Sequence, residues 1–313
     1  MSAAAGAVVF AYHNVGVRCL NVLIDAGVDV RLVVTHADNP AEAIWFSSVA
    51  ELAAAHGLAC IAPQDVNSDV VLDKVCAAAP DFLFSFYYRQ MLAAPLLALP
   101  RRGAYNMHGS LLPRYRGRAP VNWAILCGEA QTGATLHVMD IKPDHGAIVD
   151  QCAVPILGDD TARQVFDKVT LAAEIVMARA WPRLADGTEK LTPQAHLVGQ
   201  YFSGRRPEDG RIPAGASARQ IHDLVRAVAP PEYPGAFFDA AGHRCLIART
   251  QRVPAISFRT RPHLALSASD GQLWIDAADG ARLRVLDASL DGRIMKPAAW
   301  EAWLAGASLS PES

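Results

Sequence analysis

Residues 7–36 read "AVVFAYHNVGVRCLNVLIDAGVDVRLVVTH". The apolar run at 7–12 predicts a buried strand, and 17–27 predicts a helix that ends at Gly27. A second apolar run at 28–36 predicts another strand. Two strands joined by a helix of ten or more residues pair in parallel with a right-handed crossover. This stretch therefore predicts a layered α/β fold.

The same alternation continues along the chain. A helix is expected at 41–57 after Pro40, and apolar or helical segments follow at 58–62, 70–79 and 81–88. The pattern predicts a Rossmann-like, mostly parallel sheet. The turn after the first strand is "YHNVG", without the GxGxxG glycines of a dinucleotide site. A hydride-transferring dehydrogenase is therefore not expected.

Farther along, strands are predicted at 103–108, 132–140 and 147–156, with a helix at 120–128 and a helical stripe beginning near 165. Residues 187–215 are polar and rich in Pro and Gly, which is typical of a linker. A helix at 217–229 and short strand-like pieces follow. We expect a catalytic domain at 1–200, a smaller β-rich, OB-like domain at 201–305, and a tail at 306–313.

Composition restricts the class of protein. The chain has 313 residues, of which 51% are hydrophobic and 19% are charged, which favours a globular fold. The net charge of −2, without a basic run, makes a nucleic-acid partner unexpected. Six scattered cysteines without a CxxC pair predict free thiols and no metal site. The first residues lack a basic segment and a long apolar run, so a cytoplasmic protein without a membrane partner is expected.

Three residues suit acyl-transfer chemistry. Asn106 and His108 stand two apart on a predicted strand, so their side chains share a face. An imidazole carries protons near neutral pH, and an amide can donate to a developing oxyanion. Asp144 lies on a predicted loop, from which a carboxylate would raise the pKa of His108 and hold its tautomer. Taken singly, such a His is more often structural and such an Asp is usually a turn residue.

The stretch "NMHGSLLPRYRGRAP" (106–120), with "PDHGAI" (143–148) downstream, resembles the signature of 10-formyltetrahydrofolate-dependent formyltransferases. The resemblance implies that His108 is the general acid/base, that Asn106 steadies the oxyanion and that Asp144 tunes His108. It implies 10-formyltetrahydrofolate as cosubstrate and no metal. The implied folate site comprises Gln90, Met91, Leu92, Arg118, Asp140, Ile141, Lys142, Pro143 and Asp144.

Within that family, the chain is most similar to the N-terminal formyltransferase domain of the bifunctional polymyxin-resistance enzyme. The likeness implies the 4-amino group of UDP-4-amino-4-deoxy-L-arabinose as acceptor, used in lipid A modification. Separate enzymes would then have to make this amino sugar. The tRNA-directed branch usually has "RGAAP", whereas residues 116–120 here are "RGRAP". Asn14 departs from the acidic residue usual at its position.

Other functions stay open at this point. The acceptor could be another nucleotide-linked amino sugar or methionyl-tRNA, and water in place of the amine would make a formyl hydrolase. A non-catalytic relative that binds folate or a nucleotide sugar is a further alternative. Arg114, Arg116 and Arg118 could meet a diphosphate or the glutamate of folate, or could simply pair with local acids on a solvated loop.

Overall fold

The opening stretch folds as a strand, a helix and a strand. The structure is a computed structural model, and it describes residues 5–40, 44–194, 200–253 and 264–306. Strand β1 (Gly6–Ala11) leads into helix α1 (His13–Asp25), and strand β2 (Asp29–Val34) then pairs in parallel with β1. The helix begins four residues before its predicted start, because the Gly16 N–H already donates to the Tyr12 carbonyl.

The elements that follow continue the predicted alternation, with short additional elements at 94–97, 116–117 and 201–202 that were not predicted. Among the described residues they are α2 (Val49–Ala55), β3 (Cys60–Ile61), α3 (Asp69–Ala77), β4 (Phe82–Phe86), α4 (Ala94–Leu97), β5 (Gly103–His108), β6 (Arg116–Gly117), α5 (Pro120–Leu126), β7 (Gln131–Val138), β8 (Ile148–Pro155), α6 (Ala162–Asp186) and β9 (Tyr201–Phe202). The chain divides into two compact units, and the first comprises 1–120, 131–155 and 166–203.

The sheet of the first unit has seven strands in the order β3-β2-β1-β4-β5-β7-β8. The pairs from β3 to β5 are parallel, whereas β5 with β7 and β7 with β8 are antiparallel. The prediction of a mostly parallel, Rossmann-like sheet is therefore confirmed. Strand β5 is the border between the two pairing modes, and it carries Asn106 and His108.

Apolar side chains cover both faces of this sheet. On one face, Val8, Leu83 and Ala104 belong to a buried cluster with residues of α3 and α4. On the other, the ring of Phe82 contacts Trp181 of α6 at a centroid distance of 5.4 Å. Burial on both faces gives a rigid support for side chains at the ends of the strands.

The helix predicted at 41–57 is wrong over its first part. Residues 44–48 are irregular, and the helix begins only at Val49, where Ser48 caps it by accepting from the Glu51 N–H. The ring of Phe46, in this irregular stretch, lies against the ring of His13 at a centroid distance of 4.0 Å. Residues 41–43 of this prediction lie outside the described part of the chain.

The second unit comprises 121–130, 156–165 and 204–313. Its described elements beyond α5 and α6 are a 3₁₀ turn (Pro207–Gly210), α7 (Ala218–Ala227), β10 (Ala236–Ala240), β11 (His243–Arg252), β12 (Ala265–Ser269), β13 (Gln272–Asp276), β14 (Arg282–Leu290), β15 (Arg293–Ile294) and α8 (Pro297–Gly306). The strands form an antiparallel sheet in the order β10-β11-β14-β13-β12, with β15 beside β14. This confirms a second, β-rich domain.

Among the described elements of this unit, the 3₁₀ turn, β10, β15 and α8 were not predicted from the sequence. Helix α7 and the sheet share one apolar core, in which Ile221, Ile247 and Ile275 are fully buried and Trp300 of α8 is nearly so. Over the described part of the chain, we find no helix with the length and apolar character needed to cross a bilayer.

Candidate active site

Asn106 and His108 lie on β5 next to β7. The antiparallel register places Asn106 opposite His137 and His108 opposite Thr135. Because side chains alternate along a strand and paired residues share a face, these four side chains point to one side of the sheet. His108 is buried there, and Asn106 is half-buried.

The two ring nitrogens of His108 face different groups. Nε2 lies 2.8 Å from the carbonyl oxygen of Tyr115, so Nε2 carries a hydrogen and donates to it. Nδ1 lies 3.5 Å from Oδ1 of Asp144, which is longer than an ordinary hydrogen bond. The Tyr115 carbonyl, and not Asp144 as expected, therefore sets the tautomer of neutral His108.

Asp144 raises the pKa of His108, as expected, but burial has the larger effect. Burial, the largest influence, lowers the pKa, and although the Asp144 carboxylate raises it, the net pKa lies below its ordinary value. Desolvation wins because the ring is almost fully enclosed and a charged imidazolium would lose its hydration. His108 is therefore neutral at physiological pH and is able to accept a proton at Nδ1.

Asp144 is held as an ionised carboxylate. Burial alone would raise its pKa, but the nearby His108 and His137 and the Gly117 N–H, which donates to Oδ2 over 2.8 Å, bring the pKa to about 2. A carboxylate with these neighbours keeps its charge throughout the neutral range. It can then stabilise an imidazolium formed at His108 during a reaction.

The loop that carries Asp144 is held by side-chain hydrogen bonds to its backbone carbonyls. Asp144 has a φ of 55°, a left-handed conformation that a non-glycine residue rarely adopts. Its carbonyl accepts from Nε of Arg116 over 3.0 Å and from Nε2 of Gln194 over 3.2 Å. Gln194 also donates to the Gly146 carbonyl over 2.6 Å. These bonds hold the loop in the conformation that turns the carboxylate toward His108.

The Ser-Leu-Leu-Pro part of the motif ties the loop after β5 to the sheet. The hydroxyl of Ser110 donates to the Arg114 carbonyl, and the hydroxyl of Thr135 donates to the Ser110 carbonyl, each over 2.6 Å. Gln151 of β8 donates to the Leu112 carbonyl over 2.8 Å. The loop is thereby shaped so that the Tyr115 carbonyl faces His108.

The three arginines of this loop differ in their surroundings. Arg116 is buried, and its guanidinium donates to Asp144 and to Gln194, so it is not presented to a diphosphate. Arg114 is exposed and lies over the Tyr115 ring at 5.7 Å. Arg118 is exposed, and its backbone N–H donates to the Phe202 carbonyl. Arg116 is thus the buried arginine that supports the Asp144 loop, whereas Arg114 and Arg118 are exposed.

The residues expected to bind folate lie on two loops. After β4, the amide of Gln90 is bonded internally to Val66 and Gln64, Leu92 is buried in the core, and Met91 is exposed. After β7, Asp140 accepts from the Lys142 N–H, Ile141 is exposed, and Pro143 accepts from the Tyr201 hydroxyl. Gln90 and Leu92 therefore stabilise the fold, in addition to any contact with a ligand.

Sequence reasoning missed His137 and Gln194 as site residues, and it did not foresee that Arg116 would bind the Asp144 carbonyl and Gln194. His137 is 2% exposed, and its Nε2 lies 3.1 Å from Nδ2 of Asn106. The alternation of β7 places His137 and Thr135 on one face, but the register that sets them against β5 is not visible in the sequence. Among the described residues, no group of three or more His, Cys, Asp or Glu side chains is arranged to hold a metal ion.

Two family models match the chain. Residues 10–181 match the model described as formyl transferase, and residues 205–307 match the model described as formyl transferase, C-terminal domain. The two matches fall largely within the parallel sheet with its helices and within the antiparallel sheet, respectively.

Solved structures share the fold. WlaRD, a sugar 3N-formyl transferase studied in the presence of dTDP and 5-N-formyl-THF, superposes with a TM-score of 0.72 at 20% identity over 90% of this chain and 97% of that chain. An N-formyltransferase from Helicobacter canadensis, in complex with folinic acid and dTDP-3-aminofucose, gives 0.70 at 20% identity over 90% and 98%. A 4-N formyltransferase from Francisella tularensis gives 0.63 at 20% identity over 78% and 96%.

Proposed function

This chain belongs to the formyl transferase family, and we propose that it transfers the formyl group of 10-formyltetrahydrofolate to an amino group of a nucleotide-linked amino sugar. The observation that carries the proposal is the convergence of Asn106, His108 and Asp144 on one side of the sheet at β5. The sugar N-formyltransferases that share the fold support the class of acceptor.

His108 acts first as a general base. Its lowered pKa keeps the ring neutral, and the Tyr115 carbonyl occupies Nε2, which leaves the lone pair at Nδ1 for a proton. When Nδ1 takes the proton of the attacking amine, the positive charge forms 3.5 Å from the Asp144 carboxylate. The charge pair stabilises the protonated ring while the intermediate exists.

In the proposed reaction, His108 takes one proton from the amine and returns one proton to the leaving N10. The neutral amine nitrogen of the sugar bonds to the formyl carbon, and the carbonyl electron pair moves onto the formyl oxygen. Asn106 donates an amide N–H to that oxyanion. The bond between the formyl carbon and N10 then breaks, and N10 takes the proton that His108 holds. The products are the formamido sugar and tetrahydrofolate.

The folate lies, in this proposal, between the loops after β4 and β7. Met91 and Ile141 expose apolar side chains on these loops, and such surface suits the flat pterin ring. The exposed guanidinium of Arg118 suits the glutamate carboxylates. The remaining members of the expected set are Gln90, Leu92, Asp140, Lys142, Pro143 and Asp144.

For the acceptor we propose UDP-4-amino-4-deoxy-L-arabinose. Arg118 stands where the tRNA-directed branch usually has alanine, and the chain has a net charge of −2 rather than the basic excess of many tRNA-binding proteins. Separate enzymes would supply the amino sugar, and the N-formylated product would serve lipid A modification and polymyxin resistance.

An acceptor panel tests this proposal. Purified enzyme with 10-formyltetrahydrofolate is given UDP-4-amino-4-deoxy-L-arabinose, dTDP-3-aminofucose or methionyl-tRNA, and the formylated products are measured by mass spectrometry. We expect the highest kcat/KM with the UDP-linked sugar. A higher kcat/KM with dTDP-3-aminofucose would change the assigned sugar and nucleotide but keep the class of acceptor. A higher kcat/KM with methionyl-tRNA would overturn the acceptor class. Formate release without an acceptor, at an equal rate, would indicate a hydrolase and overturn formyl transfer.

A further inference from the structure

His137 lies beside the residue that donates to the oxyanion. It occupies β7 directly opposite Asn106 of β5, and it is 2% exposed. Directly opposed residues of an antiparallel pair have Cβ atoms about 5 Å apart, so their side chains must share a contact. Nε2 of His137 and Nδ2 of Asn106 are 3.1 Å apart.

The other ring nitrogen decides the direction of this hydrogen bond. Nδ1 of His137 lies 2.8 Å from the carbonyl oxygen of Val138. A carbonyl only accepts, so Nδ1 carries the hydrogen, and in a neutral imidazole Nε2 then bears the lone pair. Asn106 is therefore the donor to His137.

Asp144 lies near this nitrogen, and His137 helps to lower the pKa of its carboxyl, but the two groups are too far apart for a hydrogen bond. Oδ1 of Asp144 lies 3.6 Å from Nε2 of His137, which is longer than a hydrogen bond. The same oxygen lies 3.5 Å from Nδ1 of His108, and Oδ2 accepts from the Gly117 N–H. The hydrogen-bonding partner of Nε2 of His137 is thus the Asn106 amide.

An acceptor at this position fixes which way the amide faces. A side-chain amide can rotate by 180°, which exchanges its oxygen and its nitrogen. The lone pair on His137 selects the orientation with Nδ2 toward β7. One of the two hydrogens on Nδ2 satisfies His137, and the second stays available for the formyl oxygen.

We propose that His137 is a positioning residue that holds Asn106 in its donating orientation, an inference that rests on the proposed formyl transfer. Without the acceptor, the amide can present its oxygen to the developing oxyanion, where it repels negative charge. The effect of His137 is therefore expected on the chemical step and not on the binding of folate.

Two substitutions distinguish the contributions of the two ring nitrogens of His137. In His137→Asn, the side-chain amide can replace Nδ1 and keep the bond to Val138, but no atom stands at Nε2. In His137→Gln, the amide oxygen can reach the position of Nε2 and accept from Asn106. We expect kcat to fall by about 10- to 100-fold in His137→Asn, with KM for folate within about twofold, and the loss to be mostly recovered in His137→Gln. Equal loss in both variants would overturn the proposal.

A double-mutant cycle tests whether the effect passes through Asn106. In an Asn106→Ala background, His137→Asn should change kcat by less than about twofold, because the amide to be oriented is gone. Losses that multiply would show that His137 acts by another route and would overturn the proposal.

A measurement that needs no turnover separates this inference from the proposed function. Nitrogen-15 shifts of the His137 ring should report a protonated Nδ1 and an unprotonated Nε2 in the neutral wild-type enzyme. A hydrogen on Nε2 would overturn the positioning role even if formyl transfer is measured. A wild-type enzyme that formylates no acceptor, yet shows the expected tautomer, would reject the proposed function and, with it, the effect of His137 on turnover.

Discussion

The amide oxygen of Gln194 accepts a 2.8 Å hydrogen bond from Nη2 of Arg116, and both side chains are buried. The two residues are 78 positions apart in the chain, yet both also donate to the carbonyl of Asp144. The carboxylate of the site therefore depends on a pair of side chains that do not themselves reach the reacting groups.

Replacing Gln194 by leucine should destabilise the protein. The change removes the acceptor of Arg116 and the donor to Gly146, and it leaves these groups buried without partners. Each unsatisfied group costs about 1–3 kcal/mol, so we expect the free energy of unfolding to fall by roughly 2–4 kcal/mol in urea titrations. Gln131→Ala, at an exposed position of β7, is the control and should change it by less than about 0.5 kcal/mol. Equal stability of Gln194→Leu and wild type would show that the network contributes nothing.

Replacing His108 by alanine should abolish most of the activity. Since His108 is the proton carrier of the proposed mechanism, kcat for formyl transfer should fall by a factor on the order of 10² to 10⁴. Folinic acid should still bind with nearly the wild-type Kd, and circular dichroism should show a folded protein. Turnover close to the wild-type rate would exclude His108 from the mechanism.

The titration of His108 tests the balance between burial and Asp144. Burial lowers the pKa of His108 and outweighs the opposing effect of the Asp144 carboxylate, so the proton NMR titration of its ring should have a midpoint below 6.5. Asp144→Asn removes the charge that raises this pKa, so the midpoint should move further down. An upward movement in that variant would reverse the assigned sign of the interaction. Because the folded pKa is depressed, neutral His108 favours the folded state above about pH 6.5, and this contribution is lost as pH falls through the folded pKa.

Replacing Arg118 by alanine should weaken folate binding and leave stability unchanged. Its guanidinium is exposed, and its backbone N–H, which donates to Phe202, is kept in the variant. We expect Kd for folinic acid to rise about tenfold by calorimetry, as for the loss of a charge-assisted hydrogen bond. Arg252→Ala, an exposed arginine of β11, is the matched control and should bind normally. An unchanged Kd in Arg118→Ala would remove Arg118 from the folate site.

The layered architecture could be predicted from the sequence alone. Apolar runs of strand length separated by helical stripes fix which faces are buried, and that pattern gave β1, α1 and β2, and also β5 with its bounds at 103–108. Because Asn106 and His108 are two positions apart on a strand, their side chains were expected on the same face of the sheet. These features follow from the local alternation of apolar and polar residues, which is visible within each segment.

The residues that surround that face could be identified only in the folded protein. Strand register set His137 against Asn106, and a long-range bond from Gln194 closed the loop of Asp144, whereas neither pairing leaves a local pattern in the sequence. The start of α2 at Val49, by contrast, has a local signal that the prediction overlooked, because Ser48 with Glu51 three residues later is an N-cap pattern. The pKa of His108 depends on how completely the folded chain excludes water from its ring, and this makes burial outweigh the nearby carboxylate. Periodicity tells which side chains turn inward, but only the assembled fold tells which of them meet.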